Sequence, residues 1–336
     1  MVFKALSGGI GGDLNNTFDD YGFFNDTVLV LDDGFSYGQI KTYEGDDFIY
    51  TARAQASTSH TIFSGSGNDR VAGGLGSENV FDGSGNDSVQ LGANNDTVNA
   101  GLGNDVYDGG AGIDMLSFLW VSNDGFSGLE FNFNIGVKVD LALTTAQNFG
   151  GFGIDRISGF ENATGGIAND RLLGTSGINS LVGAGGNDFL DGRAGNDFLF
   201  GTDGSDTMVG GLGGDVIDMN DVIQSLIGRD VARYTNIIES GLTAAAWDTI
   251  VFFDKGGLAT DDKIDLSAID ANPLVAGNQA FVFRGAGAFT AVRGEVRLVV
   301  SGADTFVHID NDIDAAAEMV IKVAGVTGLV KADFIL

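Results

Sequence analysis

The sequence predicts an all-β chain wound as a parallel β-roll, a right-handed β-solenoid, with a strand-rich C-terminal cap. Three observations carry that expectation: a nine-residue period, glycine fixed near the start of each unit, and an acidic residue two places before an apolar one. Residues 165–218 read as six nonapeptides in unbroken frame: GGIANDRLL, GTSGINSLV, GAGGNDFLD, GRAGNDFLF, GTDGSDTMV and GGLGGDVID. Each opens with Gly. The sixth place holds Asp170, Asn179, Asp188, Asp197, Asp206 and Asp215, and the eighth holds Leu172, Leu181, Leu190, Leu199, Met208 and Ile217.

A glycine-rich hexapeptide can turn because Gly tolerates positive φ, and the three residues that follow can extend with one side chain inward. Two units then make one coil. Coils stacked at the strand spacing of about 4.8 Å put the eighth-place side chains inside and align the sixth-place carboxylates along both turn edges. Carboxylates about 5 Å apart repel by roughly 3 kcal/mol at an effective dielectric of 20, and the cost recurs at every coil. A cation must sit between them. Calcium suits the donors, since it is a hard ion that takes carboxylate and backbone carbonyl oxygens at flexible geometry. Zinc would want Cys or His, and the chain has no Cys and only His60 and His308.

Taken in order, residues 1–63 read as an N-terminal cap followed by degenerate coils. YGFFNDTVL (Tyr21–Leu29) places Asp26 and Val28 in register, and TYEGDDFIY (Thr42–Tyr50) places Asp47 and Ile49 there. Residues 64–117 form a first clean array, with sixth-place Asp69, Glu78, Asp87, Asp96, Asp105 and Asp114 and inward Val71, Val80, Val89, Val98, Tyr107 and Leu116. Glu78 has a longer arm and Asn179 has no charge, so calcium positions built on them are expected to be weak or missing. Residues 118–164 lose the frame; LEFNFNIGVKVDLAL alternates as longer strands would, and GGFGIDRIS restores Asp155 and Ile157. This pattern favours one continuous solenoid over two short rolls joined by a small sandwich. Residues 165–218 are the second array. In 219–336, Asn220–Ser240 has helical spacing with Asp221 as a cap, and strand-rich, glycine-punctuated segments follow from Trp247.

The in-frame Gly and Asp places resemble the RTX (repeats-in-toxin) calcium-binding proteins, whose nonapeptide is a known calcium signature, so the identification is a match of pattern. The ligand set expected here comprises Asp69, Asp87, Asp96, Asp105, Asp114, Asp155, Asp170, Asp188, Asp197, Asp206 and Asp215. Carbonyls of the turn glycines would join them: Gly65, Gly67, Gly74, Gly76, Gly83, Gly85, Gly183, Gly192, Gly195, Gly201 and Gly204. Asp310, Asp312 and Asp314, with Glu318 beyond them, have the oxygen-rich alternation of a calcium loop, although Ala315 and Ala316 stand where a glycine would help; a solvated acidic turn is the alternative.

WDTIVFFDKG, DDKIDLSAIDAN and the terminal Asp333-Phe334-Ile335-Leu336 resemble the C-terminal domain of serralysin-type metalloproteases and other type I secretion passengers. That resemblance implies export through the type I secretion machinery of a Gram-negative bacterium and an extracellular or cell-surface location. It would also account for the absence of a charged head and apolar stretch in MVFKALSGGIGGD. An apolar strand cap is the other reading of the last four residues.

Composition agrees with a cored, metal-neutralised chain. There are 54 Gly and one Pro, Pro273, with 43% hydrophobic residues, which excludes collagen and disorder of the final state. A formal charge of −29 with only 17 Lys and Arg excludes nucleic acid as partner. Much of that charge should be matched by calcium, so metal binding becomes folding energy. No apolar run reaches membrane-spanning length.

Catalytic motifs are scarce. No His-Glu-x-x-His occurs, and His60 and His308 read as ordinary strand residues. Gly34-Phe35-Ser36-Tyr37-Gly38 matches G-x-S-x-G, but about half a chance match is expected at this glycine content, and QIKTYEGDDFIY does not continue as a helix. The exposed-stripe reading of Phe23, Phe24, Phe131, Phe133, Phe252 and Phe253 yields to core or cap positions. The leading expectation is a non-enzymatic secreted calcium-folded protein of structural role, in a surface layer, matrix or adhesive, with self-association or a cell-surface glycan as partner. The alternative is a polysaccharide- or ester-acting enzyme or its calcium-binding accessory module.

Overall fold

The computed structural model describes residues 3–6, 16–19, 27–30, 38–51, 59–119, 135–221, 228–255 and 261–336. Two compact units divide the chain, Met1–Ala168 and Asn169–Leu336.

The first unit carries two parallel ladders. One runs Phe3–Leu6, Thr27–Val30, Phe48–Tyr50, Arg70–Ala72, Ser88–Gln90, Val106–Asp108 and Ile154–Ser158. The other runs Asn16–Asp19, Gly38–Lys41, Ser59–Phe63, Ser77–Phe81, Thr97–Asn99, Met115–Ser117 and Asn162–Thr164. Alternate repeats feed alternate ladders, so Val71 faces Val89 in one and Val80 faces Val98 in the other. The strands are short because glycine turns bracket them. Gly65 and Gly67 sit at φ +93° and +132°, and a Cβ on Gly85 would meet the Gly67 carbonyl oxygen at 1.6 Å, so only Gly lets the turns stack. Inside lie Ile49, Val71, Val89, Tyr107 and Ile157 from one ladder and Ile62, Val80, Val98, Leu116 and Ala163 from the other, each no more than 2% exposed.

The second unit repeats the plan. Arg171–Leu173, Phe189–Asp191, Thr207–Val209, Val231–Arg233, Lys263–Asp265 and Phe334–Ile335 form one parallel ladder. Ser180–Gly185, Phe198–Asp203, Val216–Asp218, Asp248–Val251 and Met319–Val323 form the other, which continues into antiparallel Asp304–Asp310 and Glu295–Ser301 and a last parallel strand, Val282–Gly285. Leu172, Leu190, Met208, Ala232 and Ile264 stack against Leu181, Leu199, Ile217 and Ile250, all at 0% exposure. Removing a buried leucine here should leave a void between rungs that cannot slide together. Leu190→Ala is expected to cost about 2–5 kcal/mol in urea unfolding at saturating calcium.

A parallel β-roll is therefore the architecture, and one local expectation fails. Within Asn220–Ser240, residues 222–227 lie outside the described set, but the rest is not helical: Val231–Arg233 is a strand and turns follow. The reason is that Asp230-Val231-Ala232 enters the ladder as one more repeat, and ladder hydrogen bonds with burial of Ala232 override the helical spacing. Of the stretch 118–149 expected to run as longer strands, residues 120–134 lie outside the described set; Lys138–Asp140 is three residues long and ends in a turn fastened by Gln147, while Ile154–Ser158 beyond it spans five. LEFNFN of LEFNFNIGVKVDLAL, Asp26, Phe23, Phe24, Phe131, Phe133 and residues 34–37 of the G-x-S-x-G match lie outside the described residues. The last four residues end a short 3-10 turn, Lys331–Asp333, and lay Phe334–Ile335 beside Lys263–Asp265.

Candidate metal centres

The sixth-place residue closes each glycine turn and starts the next strand, which fixes its side chain at the turn edge. In the first unit the backbone N–H groups of Asp47, Asp69, Asp87 and Asp105 donate to Oδ1 of Asp69, Asp87, Asp105 and Asp155 at 2.7, 2.6, 2.7 and 2.7 Å. On the opposite edge Glu78 donates to Asp96 at 2.7 Å and Asp96 to Asp114 at 2.8 Å. In the second unit Asp170 donates to Asp188 and Asp188 to Asp206, at 2.7 and 2.8 Å, while Asn179 donates to Asp197 and Asp197 to Asp215, both at 2.8 Å. The described sixth-place acids expected from the sequence thus join rows at every second repeat, except where Asp105 meets Asp155 fifty residues on.

These bonds use Oδ1 alone. Oδ2 of Asp69, Asp87, Asp96, Asp114, Asp188, Asp197, Asp206 and Asp215 is buried without a hydrogen-bond partner. Burial raises their affinity for protons, with Asp69 and Asp188 pushed up to about 8, Asp87, Asp96, Asp197 and Asp206 to about 7, and Asp114 and Asp215 to about 6. A buried acceptor with no donor is costly, and a whole row of them requires a cation. Space for it is kept by glycine: a Cβ on Gly183, Gly192 or Gly201 would stand 2.3, 2.4 or 2.5 Å from Oδ2 of Asp188, Asp197 or Asp206. Gly65, Gly67, Gly83, Gly85, Gly195 and Gly204 supply the positive-φ turns, whereas Gly74 gives its carbonyl to the Ala93 N–H at 2.8 Å and Gly76 is buried at a bend. An all-oxygen, charge-rich donor set suits a hard divalent ion such as calcium and fits the residues present.

The raised values set a pH dependence for the metal-free protein. Each such Asp has a folded value above its ordinary 3.8, so the folded form binds more protons than the unfolded chain between about pH 4 and 8. Stability in chelator therefore rises as pH falls through that window and is lost as pH rises. Circular dichroism in chelator should show more strand at pH 5 than at pH 8.5, and the calcium midpoint should be higher at pH 5.

Two departures from Asp behave differently. Asn179 Oδ1 accepts from its own turn, the Thr175 N–H at 2.6 Å. Glu78 Oε1 lies 3.3 Å from His60 Nδ1 and 3.1 Å from the Thr51 hydroxyl. His60 lies directly across the ladder from Glu78, so side chains meet Oε1 there, while Oε2 is buried without a hydrogen-bond partner. His308 is a strand residue, as expected, and burial, then Arg297, lower its proton affinity.

The rows extend past what the sequence disclosed. Asp206 donates to Asp230 and Asp230 to Asp262, at 2.9 and 3.0 Å, and Asp215 donates to Asp248 at 3.0 Å. Burial pushes Asp230 up to about 9 and Asp248 up to about 8, and Oδ2 of both lacks a partner. Asp230 stands just before a strand and Asp248 begins one, which was the available signal. A second row, at the fifth place, was also missed. Asn68 Oδ1 accepts the Asn86 N–H at 2.9 Å, Asn86 Oδ1 that of Asn104 at 2.9 Å, and Asn187 Oδ1 that of Ser205 at 2.8 Å.

At the C-terminal loop, one oxygen each of Asp310, Asp312 and Glu318 fall within 4.8 Å of one another. Asp310 is fully buried and its Oδ2 has no partner. Asp314 is outside that group; it is exposed and accepts from the Ala316 N–H at 2.8 Å.

Residues 61–77, 81–116, 164–199 and 182–217 match the family model of the RTX calcium-binding nonapeptide repeat, in four copies. The chain is also similar to the AlgE6R3 subunit of the mannuronan C5-epimerase of Azotobacter vinelandii, at 24% identity over 49% of this chain and 77% of that one, with a TM-score of 0.24. Comparison with curated proteins gives no match. The matched segments carry the RTX calcium-binding nonapeptide repeat, which supports calcium as the protein's ion.

Proposed function

We propose that the chain is a secreted calcium-binding RTX β-roll, exported unfolded by a type I system and folded outside the cell, with a structural role in a surface layer, matrix or adhesive. The row of buried Oδ2 atoms without donors supports this reading most directly. When bound, calcium supplies charge neutralisation between successive Asp side chains. The protein's part is to hold those side chains at fixed spacing through N–H to Oδ1 bonds, to keep the approach open with glycine, and to seal the row from water on its inner side with Val, Leu and Ile. Low calcium inside a cell would leave the acids mutually repelling and the chain threadable; higher calcium outside would favour the roll. Asp310, Asp312 and Glu318 would hold a further ion at the C-terminal loop.

The resemblance of Trp247–Asp270 and the last four residues to type I passengers supports the export step. No described helix is long and apolar enough to cross a membrane. The test has two arms. Export from a host with and without a type I channel, with and without Asp333–Leu336, should show dependence on both. Electron microscopy on calcium addition should show ordered assemblies; turnover on a polysaccharide or ester panel without assembly would replace the structural role with the enzymatic one.

A further inference from the structure

Among the described residues, one buried carboxylate of the first unit stands outside the sixth-place rows. Asp82 opens the repeat 82–90, in the column that holds Ser64 before it and Ala100 after it. It is 0% exposed. Its Oδ2 accepts from the Tyr107 hydroxyl and its Oδ1 has no hydrogen-bond partner. Tyr107 replaces an aliphatic residue in its inward column, between Val89 and Ile157, and brings its oxygen within 2.9 Å of Asp105 Oδ2. One oxygen each of Asp82, Asp87 and Asp105 lie within 4.8 Å of one another.

Counting donors shows what this group lacks. A phenol carries one hydrogen, so Tyr107 can serve Asp82 or Asp105 and not both. Asp87 Oδ2 has no donor either. None of the ion pairs at His60, Arg233, Arg284 and Lys322 reaches the group. A side chain at 101 or 103 would crowd the group, since a Cβ there would meet the Gly83 or Gly85 carbonyl oxygen at 2.0 or 1.4 Å and come within 2.7 Å of Asp82 Oδ1 or 2.9 Å of Asp105 Oδ1.

We propose that Asp82, Asp87 and Asp105 form a three-carboxylate cation site, one charge richer than the two-carboxylate positions in the rows, with Tyr107 positioning Asp82 and Asp105 from the core side. The site fills with calcium ahead of the other positions of its unit and favours trivalent lanthanides over calcium. This rests on the calcium reading of the rows. Affinity at all-oxygen sites rises with the number of charged ligands, and the attraction of each added carboxylate scales with the charge of the ion. A cation also relieves the buried acceptors that no donor among the described residues reaches.

Terbium and calcium titrations of the full chain test the assignment, with terbium emission excited through the aromatic side chains. The wild type should show one terbium step at least tenfold tighter than the rest. Asp82→Ser copies the Ser64 of the preceding coil; it should lose that step, or weaken it tenfold or more, while the remaining calcium steps and the strand signal at saturating calcium stay. Tyr107→Phe, which keeps the ring, should weaken the tight step as read by calcium competition against terbium, whereas a merely structural role for Tyr107 would leave that affinity unchanged. Asp96→Asn, on the opposite edge, should spare the tight step. If Asp82→Ser does not fold at saturating calcium, the isosteric Asp82→Asn carries the same comparison. Superimposable isotherms for wild type and the Asp82 variant would overturn the proposal while leaving the calcium reading intact; a wild type that binds no calcium would overturn both.

Discussion

Chelating calcium at pH 7.5 is expected to abolish the strand signal of the protein, and adding calcium back to restore it. At that pH the row acids are near or above the values at which they lose their protons, so the metal-free fold would hold successive buried charges with unpartnered Oδ2 atoms. The total stability of a domain is about 5–15 kcal/mol. A ligand present at a hundred times its dissociation constant contributes about 2.7 kcal/mol per site, so a few sites account for the whole. Far-UV circular dichroism against free calcium, with bound ions counted by native mass spectrometry, gives the check. A chain that keeps its strand signal in excess chelator at pH 7.5 would mean that the acid rows are satisfied without metal.

Asp188→Ala should raise the calcium midpoint far more than Asn179→Ala. Asp188 accepts the Asp170 N–H at 2.7 Å, donates its own N–H to Asp206 at 2.8 Å, and leaves Oδ2 bare, so its loss damages the positions on both sides of it. Loss of a charged partner is worth about 1.5–3 kcal/mol per position, which corresponds to roughly tenfold or more in the midpoint. Asn179 carries no charge and uses Oδ1 on the Thr175 N–H within its own turn, so its truncation removes a turn bond and no metal ligand. Equal shifts in calcium titrations of the two variants would show that charge at the sixth place is not what the ion reads.

The two arrays were legible because their period is strict. Where eighteen residues separate one Asp from the next, as from Asp69 to Asp87 or Asp188 to Asp206, frame alone gives ladder, facing and ligand. Legibility fails where the coil lengthens. Asp206 to Asp230, Asp230 to Asp262 and Asp215 to Asp248 span 24, 32 and 33 residues, so no period points to Asp230, Asp248 or Asp262 although geometry gives them the same bond. The helix expected at Asn220–Ser240 is the same failure seen from the other side, since local spacing there was judged without the ladder that Val231–Arg233 joins. The strand position of His60 gives no sign of its contact with Glu78, which comes from the neighbouring coil. Asp82 and Tyr107 each look like tolerable variation in one repeat; their meaning arises only when successive coils bring them together.

The fifth- and sixth-place rows run in opposite senses. Asn86 donates backward to the Asn68 side chain, while Asp69 donates forward to the Asp87 side chain, so each pair of neighbouring coils is stitched from both directions. Under tension such a seam should hold until both stitches part together. Pulled from one end, an array would then release whole turns of eighteen residues, each about 60 Å of contour, giving a sawtooth of even teeth whose height grows with calcium.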